Sequence, residues 1–191
     1  PGTSMRFDAE LGGSEHRYWS MAFPAEVDRH STSKDDLRIG TLEAAAEALN
    51  TAMGSAVRLR LRADVPVGAY LSGGLDSSYI AALIQRMHHG RLDTFGIRFE
   101  DPMFDETDAQ RQMAKVLGTE HHEIMCSASD IREALPAVVW HAEQPLLRTA
   151  PIPMYLLSGL VRDVGFKVAM TGEGADELFA GYSIFKEDRV R

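Results

Sequence analysis

The stretch from Val65 to His89 constrains this chain more than any other. Residues 65–71 form an apolar run that reads as a buried strand. It passes directly into Ser72-Gly73-Gly74-Leu75-Asp76-Ser77-Ser78 and then into a helix over 76–89, with Ile80, Leu83, Ile84 and Met87 on one face. Strand, glycine turn and helix in immediate succession open a parallel βαβ unit. The remaining chain keeps alternating. We expect a strand at 92–99, a helix at 106–117 stopped by Gly118, and a strand at 120–125. A helix at 129–142 bent by Pro136, a helix at 153–164 stopped by Gly165, and a strand at 166–170 follow. Residues 171–182 read as a loop entering a helix. This order implies an α/β fold with a doubly wound, mostly parallel sheet, whose ligands bind beyond the carboxyl ends of the strands.

Residues 1–33 read differently. They show no helical period. Strands are expected at 4–7 and 17–23, joined by the turn signal Gly12-Gly13-Ser14. A polar linker follows near 28–34. From Asp35 a helix begins, with Leu37, Leu42, Ala45, Ala46, Leu49, Met53, Val57 and Leu61 at three- and four-residue steps. Ser33 or Thr32 is its expected cap. Gly40 and Gly54 weaken it by about 1 kcal/mol each relative to alanine. The expected division is 1–33, the torn edge of a preceding β domain plus linker, and 34–191, an α/β domain.

Composition narrows the function. The chain has 191 residues, 45% hydrophobic and 25% charged, which excludes wholesale disorder. Lys and Arg number 20 against 28 Asp and Glu, a net charge of −8, so no nucleic-acid partner is expected. The cluster Arg58, Arg60, Arg62 reads as a solvated helix end. No apolar run approaches the roughly 18 residues of a membrane span, and residues 1–16 do not read as a signal peptide. Cys126 is the single cysteine, so no intramolecular disulfide or four-cysteine zinc site forms; a cytoplasmic location fits.

The chemistry resides in two loops. Gly73 and Gly74 let the backbone approach an anion closely, and Ser72, Ser77 and Ser78 add hydroxyl donors. The following helix offers free N–H groups and its positive dipole end. The loop is a phosphate cradle, though neither a Walker A loop nor a GxGxxG fingerprint. Asp76 would repel phosphate unless a cation intervenes, which points to Mg²⁺. The second loop, Thr171-Gly172-Glu173-Gly174-Ala175-Asp176-Glu177, is acidic and again lies between strand and helix. By itself it also suits a calcium-like turn or a capped helix. If both loops face one end of the sheet, Asp76 and Asp176 share a metal bridging phosphate oxygens.

Other residues take plainer readings. His121-His122 suits a strand end better than any common zinc motif. His88-His89 complements a helix dipole. Glu106 caps a helix or meets substrate. Cys126, Trp140 and the helical methionines read as core. Arg148, in the proline-flanked segment 144–153, is suited to grip a carboxylate with its fork.

Taken together the motifs resemble a known family. Ser72-Gly73-Gly74-Leu75-Asp76-Ser77 is similar to the pyrophosphate loop of N-type ATP pyrophosphatases. With Gly172-Glu173-Gly174-Ala175-Asp176-Glu177 and Leu178-Phe179-Ala180-Gly181-Tyr182, it resembles the synthetase domain of glutamine-hydrolysing asparagine synthetases. Val65-Pro66-Val67-Gly68, Phe104-Asp105-Glu106, Thr119-Glu120-His121-His122-Glu123 and Pro153-Met154-Tyr155-Leu156-Leu157 support it. The likeness covers about 35–191. It implies an adenine nucleotide alpha hydrolase-like fold, preceded by a glutaminase domain whose last strands are 1–19 and followed by a helical region, so that the chain is cut at both ends. Ammonia then comes from a glutaminase domain missing here, and family lysines that stabilise adenylation lie beyond Arg191.

The resemblance also implies ATP, Mg²⁺, aspartate or a related carboxylic acid, and ammonia as reaction partners. By position, Ser72, Gly73, Gly74 and Ser77 hold pyrophosphate, and Asp76 and Asp176 carry Mg²⁺. Leu71 and Ile97 contact adenosine, Thr171 and Gly172 touch the AMP portion, and Glu173 assists at the acyl-adenylate. Asp76 and Glu173 are thus the candidate catalytic residues. Three alternatives share the fold: a β-lactam-forming synthetase, an amidotransferase of polysaccharide clusters, and a tRNA-thiolating pyrophosphatase, which the acidic charge disfavours. A fourth is a nucleotide-binding fragment without turnover. An exposed apolar side on the 35–61 helix favours a homodimer.

Overall fold

The computed structural model describes residues 2–8, 12–20, 41–87 and 90–187. They fall into two compact units, Pro1–Ala45 and Ala46–Arg191. In the first, β1 (Thr3–Asp8) and β2 (Gly12–Arg17) pair antiparallel, with Phe7 opposite Gly13. Of the strand expected at 17–23, Arg17 ends β2, residues 18–20 are not in a strand, and 21–23 lie outside the described residues; Gly12-Gly13-Ser14 lies inside β2, not in a turn. The reason is packing. A Cβ on Gly13 would lie 3.1 Å from the Phe7 ring, so the bare backbone is a seat for that ring, and this aromatic cover overrides the turn signal. Beyond β2, Tyr18 and Trp19 both donate their N–H to Gly2 O, at 2.9 and 3.1 Å. The linker at 28–34, the caps Ser33 and Thr32, and the helix start at Asp35 lie outside the described residues.

Helix α1 (Leu42–Arg60) is capped by Thr41, whose Oγ1 accepts from Ala44 N at 3.2 Å. Its buried Gly54 is a point of close approach, since a Cβ there would lie 3.2 Å from Met87 Cε. Arg58, Arg60 and Arg62 are exposed at its end, as expected.

Four strands form a parallel sheet in the order β5-β4-β3-β6: β3 (Val67–Tyr70), β4 (Asp93–Phe99), β5 (Glu120–Cys126) and β6 (Val168–Met170). The chain steps outward from β3 to β5, then returns across β3 to lay down β6. The order reverses between β3 and β6, so the crevice above those two strands is the switch point where such sheets bind ligands. The α/β, doubly wound expectation holds.

Helices cover both faces. On one side α2 (Leu75–Met87) and α3 (Thr107–Leu117) join α1 around Val57, Ala69, Leu71, Ile84 and Ala114. On the other side α5 (Pro151–Asp163) lays Leu157 and Val161 on Phe95, and α4 (Ala128–Ala142) packs on α5. The period-two alternation of β3 sends Ala69 to the first face and Gly68 and Tyr70 to the second. Gly68 is bare because the Phe95 ring lies over it; a Cβ there would sit 2.6 Å from Phe95 Cε2.

Helix ends follow their chemistry. Gly118 closes α3 in the left-handed conformation at φ 69°, the stop read from the sequence. Helix α4 starts ahead of its expected position because Ser127 and Asp130 form a capping box, with Asp130 N donating to Ser127 Oγ at 3.2 Å and Ser127 N to Asp130 Oδ2 at 2.8 Å. It runs through Pro136. Helix α5 starts early too, with Pro151 in its first turn, where a missing N–H costs nothing. After β6 come α6 (Ala175–Phe179) and an unanticipated short α7 (Ile184–Glu187). Among the described residues no helix is long and apolar enough to cross a membrane.

Candidate functional site

The loop after β3 is tied by its own serines. Ser72 and Ser77 hydroxyls share a hydrogen bond of 2.9 Å, Ser72 N donates to Ser77 Oγ at 3.1 Å, and Gly74 N donates to Ser72 Oγ at 3.2 Å. Gly73 is left-handed at φ 82°, and a Cβ on it would sit 2.7 Å from Ala109 Cβ. The turn therefore has glycine for two reasons: its dihedral angle and the pressure of α3 against it. Short, serine-braced and followed by the free N–H groups of α2, the loop presents donors without any basic side chain.

The acidic loop after β6 comes back onto that turn. A Cβ on Gly172 would lie 2.8 Å from Ser77 N and 2.9 Å from the Asp76 carbonyl carbon. Only glycine lets the two backbones approach so closely. Glu173 N donates to Thr171 Oγ1 at 3.3 Å, and Gly174, at φ 88°, starts α6. Tyr182 donates its hydroxyl to Glu177 Oε1 at 2.7 Å; that bond holds the Glu177 carboxyl below its usual range, with Arg148 adding to the effect.

Between the loops lies a cleft of about 860 Å³, a size that suits a nucleotide-sized ligand. Leu71, Ser72, Asp76, Ser77, Ile97, Thr171, Gly172, Glu173 and Asp176 line it. Gly73 and Gly74 do not; they line an adjoining recess of about 380 Å³ with Asp105, Asp108 and Ala109. Glu106 borders both spaces. It stands at the N-cap of α3 and makes no side-chain cap bond there. Asp105 fixes the turn instead, accepting from Phe99 N at 3.2 Å and from the Thr107 hydroxyl, which chiefly lowers its carboxyl below the ordinary value. Arg148 also lines the cleft.

Several lining residues escape sequence reasoning. Tyr70, Phe95, Phe99 and Gln110 belong to it, and burial pushes the Tyr70 phenol up. Phe95 and Tyr70 were legible as strand residues, but which ends of which strands meet is a matter of topology. Gln110 sits on a helix with no local signal of its own.

The plainer residues fall where their chemistry predicts. His121 Nδ1 bonds Thr94 Oγ1 at 3.0 Å, and His122 Nε2 meets Asp93 Oδ1 at 2.7 Å while stacking on Phe95. Both are strand residues. Cys126 is 1% exposed and burial raises its thiol, as for a core residue. Trp140 corrects the expectation of a core tryptophan: it is 80% exposed on the outer side of α4, whose one fully buried residue is Val138. His88 and His89 lie outside the described residues.

For a divalent cation, no group of three or more His, Cys, Asp or Glu gathers among the described residues. Mg²⁺ does not require one, because it keeps waters and takes one or two carboxylates plus substrate phosphates. Asp76 and Asp176 line the same cleft, and neither makes an ion pair among the described residues. The donor set fits Mg²⁺ delivered with a polyphosphate.

A parallel sheet with its cleft at the switch point, and a serine–glycine loop there, define an α/β domain of the doubly wound kind. A solved NH3-dependent NAD synthetase from Campylobacter jejuni shares this fold with a TM-score of 0.50 at 19% identity, covering 72% of this chain and 60% of that one. The asparagine synthase family model matches residues 48–191, and the chain belongs to that family. It is 40% identical over 136 residues to asparagine synthetase [glutamine-hydrolyzing] 1 of Bacillus subtilis, covering 71% of this chain and 21% of the relative. An Arabidopsis thaliana asparagine synthetase [glutamine-hydrolyzing] 1 is 38% identical, over 72% of this chain and 25% of its own length. Amidase chyE of Penicillium rubens is 32% identical, over 90% and 26%. The chain thus spans about a fifth to a quarter of these relatives.

Proposed function

We propose that this chain is the adenylating part of an ATP-dependent, amide-forming ligase, and that its acceptor is aspartate. One observation carries the reading: Gly172 packs on the first turn of α2, so the serine–glycine loop and the acidic loop face one cleft. Family membership and relatives named asparagine synthetase support the choice of reaction.

In this reading the pyrophosphate of ATP rests on Ser72, Gly73, Gly74 and Ser77. The Ser72 and Ser77 hydroxyls, now bonded to each other, turn to phosphate oxygens. Leu71 and Ile97 hold adenosine, and Thr171 and Gly172 hold the AMP portion. Asp76 and Asp176 would hold Mg²⁺, which when bound neutralises charge on the leaving pyrophosphate. A β-carboxylate oxygen of aspartate attacks the α-phosphorus in line. The bond from that phosphorus to the bridging oxygen breaks, and pyrophosphate leaves with the electron pair. β-Aspartyl-AMP remains, and Arg148 grips the acceptor through a free carboxylate. Ammonia then attacks the acyl carbon, AMP departs, and Glu173 takes the proton that nitrogen sheds. The cleft contributes positioning and charge more than covalent chemistry. We assign 34–191 to this domain and 1–33 to the end of a glutaminase-type domain that supplies ammonia, in a cytoplasmic protein.

The test is ATP–pyrophosphate exchange in the full-length protein carrying this chain, with a panel of carboxylic acids. Exchange driven by aspartate supports the proposal. Exchange driven only by another acid moves the acceptor to that of a β-lactam-forming synthetase or a polysaccharide-cluster amidotransferase. Tight Mg–ATP binding with no exchange for any acid leaves a nucleotide-binding module without turnover.

A further inference from the structure

We infer that Gln110 sets how strictly this cleft reads a purine base. The inference rests on the nucleotide-binding reading above and adds a residue to it. Strand β4 outruns its neighbour: Leu71 N donates to Phe95 O at 2.9 Å, and β3 pairs with β4 no further than this. In a parallel strand the N–H and C=O of one residue point to the same side, and those of the second residue along point there again. The N–H and C=O of Ile97 therefore face the cleft as an open strand edge. An adjacent donor and acceptor of this kind suit the amino and ring nitrogens of a 6-aminopurine, and oppose a 6-oxopurine twice, acceptor to acceptor at its oxygen and donor to donor at its protonated ring nitrogen.

The acceptor on that edge already has one partner. Gln110 Nε2 donates to Ile97 O at 2.9 Å. The Gln110 residue is 3% exposed, and its Oε1 has no hydrogen-bond partner among the described residues. This oxygen lies over Gly96, in the place a Cβ would take. Because Ile97 O only accepts, the amide must turn its nitrogen towards the cleft and its oxygen away. Gly73 closes on the same residue, since a Cβ there would lie 2.9 Å from Gln110 N. Gln110 is thus wedged between the phosphate-type loop and β4. Its side chain competes for the backbone acceptor that a 6-amino group needs, and it sets an amide nitrogen, a donor, beside that acceptor.

The consequence is weaker discrimination between ATP and ITP than the bare strand edge would give. Competition titrations against the chain, with Mg²⁺, compare the two nucleotides in the wild type, Gln110→Ala and Gln110→Leu. The leucine variant keeps the volume should alanine fail to fold. The wild type is expected to prefer ATP, and both variants to raise that preference by about tenfold, the worth of one recovered hydrogen bond. A wild-type preference for ATP that neither variant changes overturns the role of Gln110 while leaving nucleotide binding intact. Binding of neither nucleotide to the wild type overturns the nucleotide-binding reading itself, and this inference with it.

Discussion

Gly172 lies directly on Asp76: a Cβ at position 172 would come within 2.9 Å of the Asp76 carbonyl carbon and 3.0 Å of its Cβ. Two loops almost a hundred residues apart in sequence come together here at a bare glycine. Gly172→Ala is expected to cost about 1–3 kcal/mol of stability as an overpacking change. By moving the acidic loop about 1 Å it also lowers pyrophosphate exchange by about a hundredfold. Gly159→Ala is the matched control. Nothing lies within 4 Å of that added Cβ, and Gly159 is inside α5, so the change should stabilise by about 0.5–1 kcal/mol. Equal effects at the two glycines, read by denaturant titration, contradict the account.

Gly68 and Phe95 make a second such pair, now in the core. Gly68→Ala drives a methyl to 2.6 Å from the ring and is expected to destabilise by about 1–3 kcal/mol. Phe95→Leu destabilises as well, by loss of packing. In the double variant the costs should fall short of their sum, because the smaller side chain makes room for the methyl. Strict additivity in urea unfolding removes the contact from the account.

Arg148 gives a prediction on the acceptor side. Arg148→Ala should raise the aspartate concentration for half-maximal exchange by about tenfold or more, with ATP affinity changed by less than about threefold. Arg148→Lys should recover only part, since an ammonium lacks the planar fork. A loss of ATP affinity alone would place Arg148 on the nucleotide instead.

Stability should fall on acidification in two stages. Burial holds His121 below its ordinary value of about 6.5, with His122 and Arg111 acting the same way and Glu123 opposing. The folded chain binds fewer protons here than the unfolded chain, so stability rises with pH through this window. It is fully present above about 6.5 and is lost as pH drops towards the lower folded value. Glu123 is gripped at both oxygens by Arg111, at 2.7 Å each, which chiefly holds its carboxyl below the ordinary value of about 4.5. That contribution is present above about 4.5 and is lost as pH falls through the folded value. The melting temperature should therefore drop between pH 7.5 and 5.5, and drop less in His121→Asn. Below pH 4.5 the gap between wild type and Glu123→Gln should close. Identical pH profiles for His121→Asn and wild type would exclude the first stage.

Much of this architecture is legible in the chain itself. The strand–helix alternation and stops such as Gly118 follow from local physics, and so do the two glycine-rich loops. What escapes is non-local. Gly13 reads as a turn until Phe7 is seen lying over it. Gly68 carries no signal until Phe95 arrives from the next strand. The capping box of Ser127 and Asp130 was in plain view as a four-residue pattern, yet apolar spacing alone starts the helix too late. Gln110 looks like any polar residue on an amphipathic helix, and only the end of β3 reveals that it reaches an open strand edge. Of the site, the loop residues were readable because their chemistry is local; the aromatic lining was not, because it depends on which strand ends meet.

The central claim is that Asp76 and Asp176 serve one cation and one polyphosphate. A double-variant cycle measures this directly: calorimetric titration of ATP with Mg²⁺ into the wild type, Asp76→Ala, Asp176→Ala and the double variant. Each single change should weaken Mg²⁺-dependent binding by tenfold or more, and the double variant should be no weaker than about threefold below the worse single one, because both remove the same ion. Two losses that simply multiply, or a normal titration in Asp176→Ala, would contradict a shared site.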